Sequence, residues 1–84
     1  MSTKKIVMFS ASWCQPCRQA KPVFEKISKE TPDAYFQIVD IDENRAMAQD
    51  FGVTGVPTFM LIENEEEVKR LVGAQNVVRV KELL

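Results

Sequence analysis

The chain has 84 residues, 45% of them apolar and 27% charged, enough for one hydrophobic core and no second, so a single soluble domain over residues 1–84 is expected. This composition excludes a disordered chain, and no apolar run approaches the roughly 20 residues of a membrane-spanning helix. Eleven Lys and Arg against twelve Asp and Glu leave a net charge of −1, so bulk charge favours neither phosphate backbones nor anionic lipid, and neither nucleic acid nor membrane is expected as a partner.

Met1–Lys5 followed by Ile6–Phe9 is too short an apolar run for a secretory leader, because Trp13 and Cys14 follow at once. A reducing, cytoplasmic location is therefore expected, where a cysteine pair serves redox or metal chemistry more often than as a staple. Lys5–Ala11 (KIVMFSA) is a nearly continuous apolar run, as in a strand buried on both faces. After the cysteines, Ala20, Val23, Phe24 and Ile27 recur at spacings of three and four, which predicts an amphipathic helix ending near Thr31 and Pro32. Lys21–Glu25, Glu25–Lys29 and Lys26–Glu30 place opposite charges four apart on it, and Pro22 removes one of its hydrogen bonds.

Tyr35–Ile41 (YFQIVDI) reads as the second strand. Asp42 or Asn44 is placed to cap a short helix that turns Met47 and Phe51 inward and ends at Gly52. Thr58–Ile62 and Glu67–Val72 form an antiparallel hairpin across the acidic turn Glu63–Glu66, which is most simply solvated. Asn76 is placed to cap a last helix with Val77, Val80 and Leu84 on one face and Leu83 beside it. The order is βαβαββα, an α/β fold with a mixed four-stranded sheet and helices on both faces. A right-handed crossover is expected for the βαβ unit.

Two cysteines and no histidine bar the usual zinc sites and the usual base of hydrolytic triads, which leaves thiol chemistry and no metal within one chain. Trp13-Cys14-Gln15-Pro16-Cys17 lies where the buried strand meets the amphipathic helix. A disulfide closing so short a loop stabilises by about 2 kcal/mol at best, so reversibility explains the pair better than strength does. A sulfur in the first turn of a helix faces unpaired backbone N–H groups and the positive end of the dipole. That is worth about 0.3–1 kcal/mol, up to about 2 when partly buried, which lowers a thiol pKa by roughly one unit or a little more, toward the value near 7 at which about half is ionised at neutral pH. Cys14 is expected to be the exposed attacking thiol and Cys17, one turn deeper, the resolving one. Arg18 in the first turn either supports the thiolate or is a solvated surface cation.

At these residues the chain resembles the thioredoxin family. The matching stretches are Phe9–Cys17 (FSASWCQPC), Pro22, Val39–Asp42 (VDID), Gly52–Thr58 (GVTGVPT) and Gly73-Ala74, in family order over nearly the whole chain. The resemblance implies a minimal thioredoxin fold with strand order 2-1-3-4 and a redox-active Cys14–Cys17 pair needing no other cofactor. It also implies a cis Val56–Pro57 bond facing that pair. A substrate groove of Trp13, Gln15, Pro16, Val56, Pro57, Gly73 and Ala74 follows from it, with Val56 offering its backbone to an extended substrate. Asp42 either caps the short helix or orients the Trp13 indole, and capping is the expected role.

Three departures stand out. The chain begins at the dithiol strand, without the family's usual preceding strand and helix, which is glutaredoxin size and leaves Tyr35–Ile41 as an edge. Met8 and Ile38 occupy the places of the family's usual buried aspartate and its lysine partner, so slower resolution by Cys17 is expected. Gln15 replaces the usual glycine between the cysteines. The implied activity is reduction of protein disulfides by a monomer recharged by a flavin-containing thioredoxin reductase. Three other readings stand beside it: a glutathione-linked, glutaredoxin-like reductase, a binding module in which the dithiol is incidental, and a zinc site shared between two chains.

Overall fold

A computed structural model describes residues 4–84, and the reading of the first three residues as no part of a leader lies outside them. Strand β1 (Lys4–Ser10) leads into helix α1 (Gln15–Glu30), followed by β2 (Tyr35–Asp40) and the short helix α2 (Arg45–Asp50). Strands β3 (Thr58–Glu63) and β4 (Glu66–Val72) come next, and a 3-10 helix (Ala74–Leu83) closes the chain. The sheet order is β2-β1-β3-β4, with β1 parallel to β2 and antiparallel to β3, and β3 antiparallel to β4. This is the mixed sheet and order expected from the sequence.

The apolar run of β1 is explained by its position: Ile6, Val7, Met8 and Phe9 are all fully buried, because alternate residues enter cores on opposite faces of the sheet. Ile6 and Met8 join Cys17, Ala20, Phe24 and Ile27 of α1 and Val77, Val80 and Leu83 of the 3-10 helix. Val7 and Phe9 join Val39, Met60 and Ile62, against which Met47 and Phe51 of α2 pack. In α2 itself, Ala48 is the fully buried residue, while Met47 and Phe51 are half-buried.

The closing helix departs from expectation in pitch. A 3-10 helix has three residues per turn, so Val77, Val80 and Leu83 stack on one line and are buried, while Leu84 is 41% exposed. Asn76 does not cap it. Gly73 holds that position, and the Asn76 amide donates back to the Val72 carbonyl at 2.8 Å. Likewise, among the described residues none of the three charge pairs along α1 closes. Glu30 instead meets Lys81 at 3.4 Å, tying α1 to the 3-10 helix. Solvated side chains gain little from pairing along one helix, so the charge spacing of α1 alone does not dictate which pairs form. The hairpin turn is the two-residue kind, with Asn64 and Glu65 at φ 54° and 68°, the pair of left-handed residues that matches the twist of its strands.

Candidate active site

Helix α1 begins one residue after Cys14, which is its N-cap, with Pro16 in the first turn where the missing N–H is no loss. Strand β1 ends at Ser10, and the Cys14 N–H donates to Ala11 O at 3.1 Å, turning the chain sharply into the helix. The Cys14 side chain folds back over the first turn, where Sγ accepts the Cys17 N–H at 3.2 Å. A sulfur thus stands where Ser or Asp caps other helices, and the N–H that holds it here favours its anionic form after reduction. Cys14 and Cys17 are joined by a disulfide, their Cα atoms 5.3 Å apart. Cys14 keeps only 5% of its surface and Cys17 1%. Cys14 is therefore far less exposed than its attacking role led us to expect, because capping draws its side chain inward.

Below the pair the surroundings are apolar. Met8 is fully buried in the same cluster as Cys17, and Ile38, its partner across the β1–β2 ladder, packs against that cluster. The two replaced family positions are thus neighbours, and no charge is stranded there.

The Val56–Pro57 bond is cis, and the Val56 carbonyl oxygen lies 3.8 Å from Cys14 Sγ, where a reduced thiol would find an acceptor. Val56 is half-buried and Pro57 buried. The Gly73 N–H donates to Pro57 O at 2.9 Å, which brings Gly73-Ala74 to the same end of the sheet. Gly73 has φ 108°, a conformation that side chains resist. Trp13 is 66% exposed beside Cys14, and Gln15 and Pro16 are exposed on the first turn.

Asp42 does not cap α2. Its Oδ2 accepts the Trp13 indole N–H at 2.9 Å, and the N-cap of α2 is Asn44, without a side-chain bond. The turn is organised instead by Asp40, whose Oδ1 accepts from the backbone of Asp42 at 2.8 Å and Glu43 at 3.3 Å. Arg18 is not freely solvated: its guanidinium donates to Ser12 O at 2.8 Å and braces the loop before Trp13.

Three supports were missed in the sequence. Asp40 had a visible signal, an Asp two residues before a turn polar group. Thr58, whose hydroxyl donates to Gly55 O at 2.6 Å, had the weaker one of a hydroxyl after proline. Arg70, which reaches the end of α2, had none, because its partners are backbone carbonyls 18 and 19 residues away. Among the described residues no three His, Cys, Asp or Glu side chains gather as a metal site. Among the described residues no helix is long and apolar enough to cross a membrane.

This geometry is shared with known proteins. The chain is 47% identical over 75 residues to thioredoxin H4 of Arabidopsis thaliana, covering 87% of this chain and 63% of that one. It is 43% identical over 77 residues to an H-type thioredoxin of Picea mariana, covering 89% and 62%. It therefore spans about three fifths of the length of these curated relatives. The X-ray structure of Fasciola hepatica thioredoxin superposes with a TM-score of 0.87 at 40% identity, covering 95% of this chain and 76% of that one. The thioredoxin family model matches residues 1–84, and with a helix-capping dithiol opposite Val56–Pro57 and these relatives the chain belongs to the thioredoxin family.

Proposed function

We propose that the protein is a thiol–disulfide oxidoreductase that reduces protein disulfides through Cys14 and Cys17. The observation that carries this reading is the Cys14 sulfur, capping α1 on the Cys17 N–H and 3.8 Å from the Val56 carbonyl. The Cys14 thiolate attacks one sulfur of a substrate disulfide, forming a mixed disulfide and releasing the first substrate thiolate, which takes a proton. Cys17 then loses its proton to water or to the departing thiolate and attacks Cys14 Sγ. The second substrate thiol leaves, and the Cys14–Cys17 disulfide remains. Two electrons and two protons pass to the substrate, and no cofactor beyond the dithiol is needed.

The groove of Trp13, Gln15, Pro16, Val56, Pro57, Gly73 and Ala74 receives the substrate chain, with Val56 in backbone hydrogen bonding and Asp42 orienting the Trp13 ring. The electron donor in this reading is a thioredoxin reductase, and the protein works as a monomer in the cytoplasm. A glutathione-linked activity is the rival, but Gln15 holds the place after the first cysteine where glutaredoxins carry proline. Insulin reduction tests both. We expect turnover with NADPH and thioredoxin reductase and little with glutathione alone, and a fall of at least about 10³-fold in Cys14→Ser. Turnover surviving in Cys14→Ser overturns the mechanism, and turnover with glutathione alone overturns the donor.

A further inference from the structure

Presentation of the Val56 backbone beside Cys14 depends on residues 52–57, a segment without regular secondary structure. Its far end is tied to β4 through the backbone, by the Gly73 N–H on Pro57 O and by the pairing of Thr58 with Val72. Its near end leaves α2 through a glycine closure: Gly52, at φ 63°, donates to Gln49 O at 3.1 Å, and Val53 to Ala48 O at 2.9 Å. That closure satisfies earlier carbonyls of the helix and leaves those of Phe51 and Gly52 for other donors.

Arg70 of β4 takes both. Its Nη2 donates to Phe51 O at 2.5 Å and its Nη1 to Gly52 O at 3.4 Å. The same guanidinium is held by both oxygens of Glu67, from Nε and Nη2, each at 2.6 Å. On a regular strand, residues three apart point to opposite faces. Here the register shifts: Leu61 faces Lys69 but Ile62 faces Glu67, so Val68 is an extra residue and Glu67 and Arg70 emerge on one face. Bulges re-aim side chains in this way, often near active sites. The side chains of the pair are 31% and 30% exposed, its geometry is bidentate, and it adds two backbone acceptors, unlike a solvated surface pair.

We infer that Arg70 is a positioning residue for substrate recognition. It pins the start of the 52–57 segment to β4, so that both ends are fixed and Val56 is held opposite Cys14, while Glu67 fixes the plane of the guanidinium. This rests on the oxidoreductase reading above. A chain that lies along Val56 needs the clamp, whereas a disulfide too small to reach that backbone does not.

The test starts from pre-reduced protein and follows its oxidation by an extended peptide disulfide and by hydroxyethyl disulfide, so that no external donor enters. In Arg70→Met the half-saturating peptide concentration should rise roughly threefold to tenfold, with the limiting rate and the hydroxyethyl disulfide rate unchanged. Arg70→Lys, which keeps a cationic donor for Phe51 O, should recover most of that loss. Equal slowing with both disulfides, an unchanged half-saturation in the folded variant, or no rescue by lysine overturns the inference. If thermal unfolding shows Arg70→Met to be unfolded, Glu67→Gln carries the test, with a rise of about twofold expected and none overturning it. Failure of the oxidoreductase reading looks different, since wild-type protein would then reduce neither disulfide.

Discussion

On the α1 face of the sheet, Phe24 packs against Phe36 and Phe59 with ring centroids 5.3 and 5.9 Å away, and both cysteines are embedded in the cluster around them. On the α2 face the buried cluster has five residues and is covered by a six-residue helix, and the loop bearing Val56 is held by Arg70 and by backbone bonds. Apolar packing dominates around the sulfur, whereas directional polar ties add to the packing of Val53, Val56 and Pro57 in placing what faces it. The difference is physical: dispersion and burial fix a helix as a body, whereas an irregular segment, although Val53 and Val56 pack on the cluster and Pro57 is buried, also needs its unpaired backbone carbonyls met by directional donors.

The sharpest way to break this comparison is to cut one aromatic from each face. Phe24→Ala should cost about 3–5 kcal/mol and Phe51→Ala, half-buried over α2, about 1–3, both read from urea denaturation. In so small a domain the first approaches the whole stability. Equal losses would mean that the α2 face is packed as tightly as the other.

A second, smaller effect comes from placing a polar group in the apolar face. Met8→Asp sets a buried carboxylate, its pKa raised by desolvation, beneath Cys17 as a base. Stopped-flow decay of the mixed disulfide should quicken by about tenfold, within the range of positioned bases. No acceleration in a folded variant would overturn the expectation that Met8 slows resolution by Cys17.

The smallest effect sharpens the polar side. The hydrogen bond from Arg70 holds the Glu67 carboxyl below its ordinary value, against the opposing effect of partial burial. A carboxyl depressed in the folded state adds stability above its unfolded pKa and loses it as pH falls through the folded one. Wild-type protein should therefore exceed Glu67→Gln at neutral pH by at most about 1 kcal/mol, discounted for solvent screening. The gap should close in acid, as measured by denaturation midpoints near pH 7 and pH 3. A gap independent of pH would mean that the glutamate acts without its charge.

While the strand order came from the family resemblance, residue order was enough for the succession of strands and helices, for the assignment of Ile6–Phe9 to the centre of the sheet, and for the pairing of Cys14 with Cys17 at a helix start. Each rests on local periodicity or on close spacing, which sequence carries directly. The closing helix was legible in its buried Val77 and Val80 but not in its pitch, because two windings of ten residues share those positions and the packing against α1 selects between them. The bond of Asp42 to Trp13, across 29 residues, was visible only as one of two roles for that side chain. Arg70 was not legible at all. Its acceptors are main-chain carbonyls that every residue possesses, and its direction comes from a bulge in the β3–β4 register, so only the folded backbone brings the guanidinium to the end of α2.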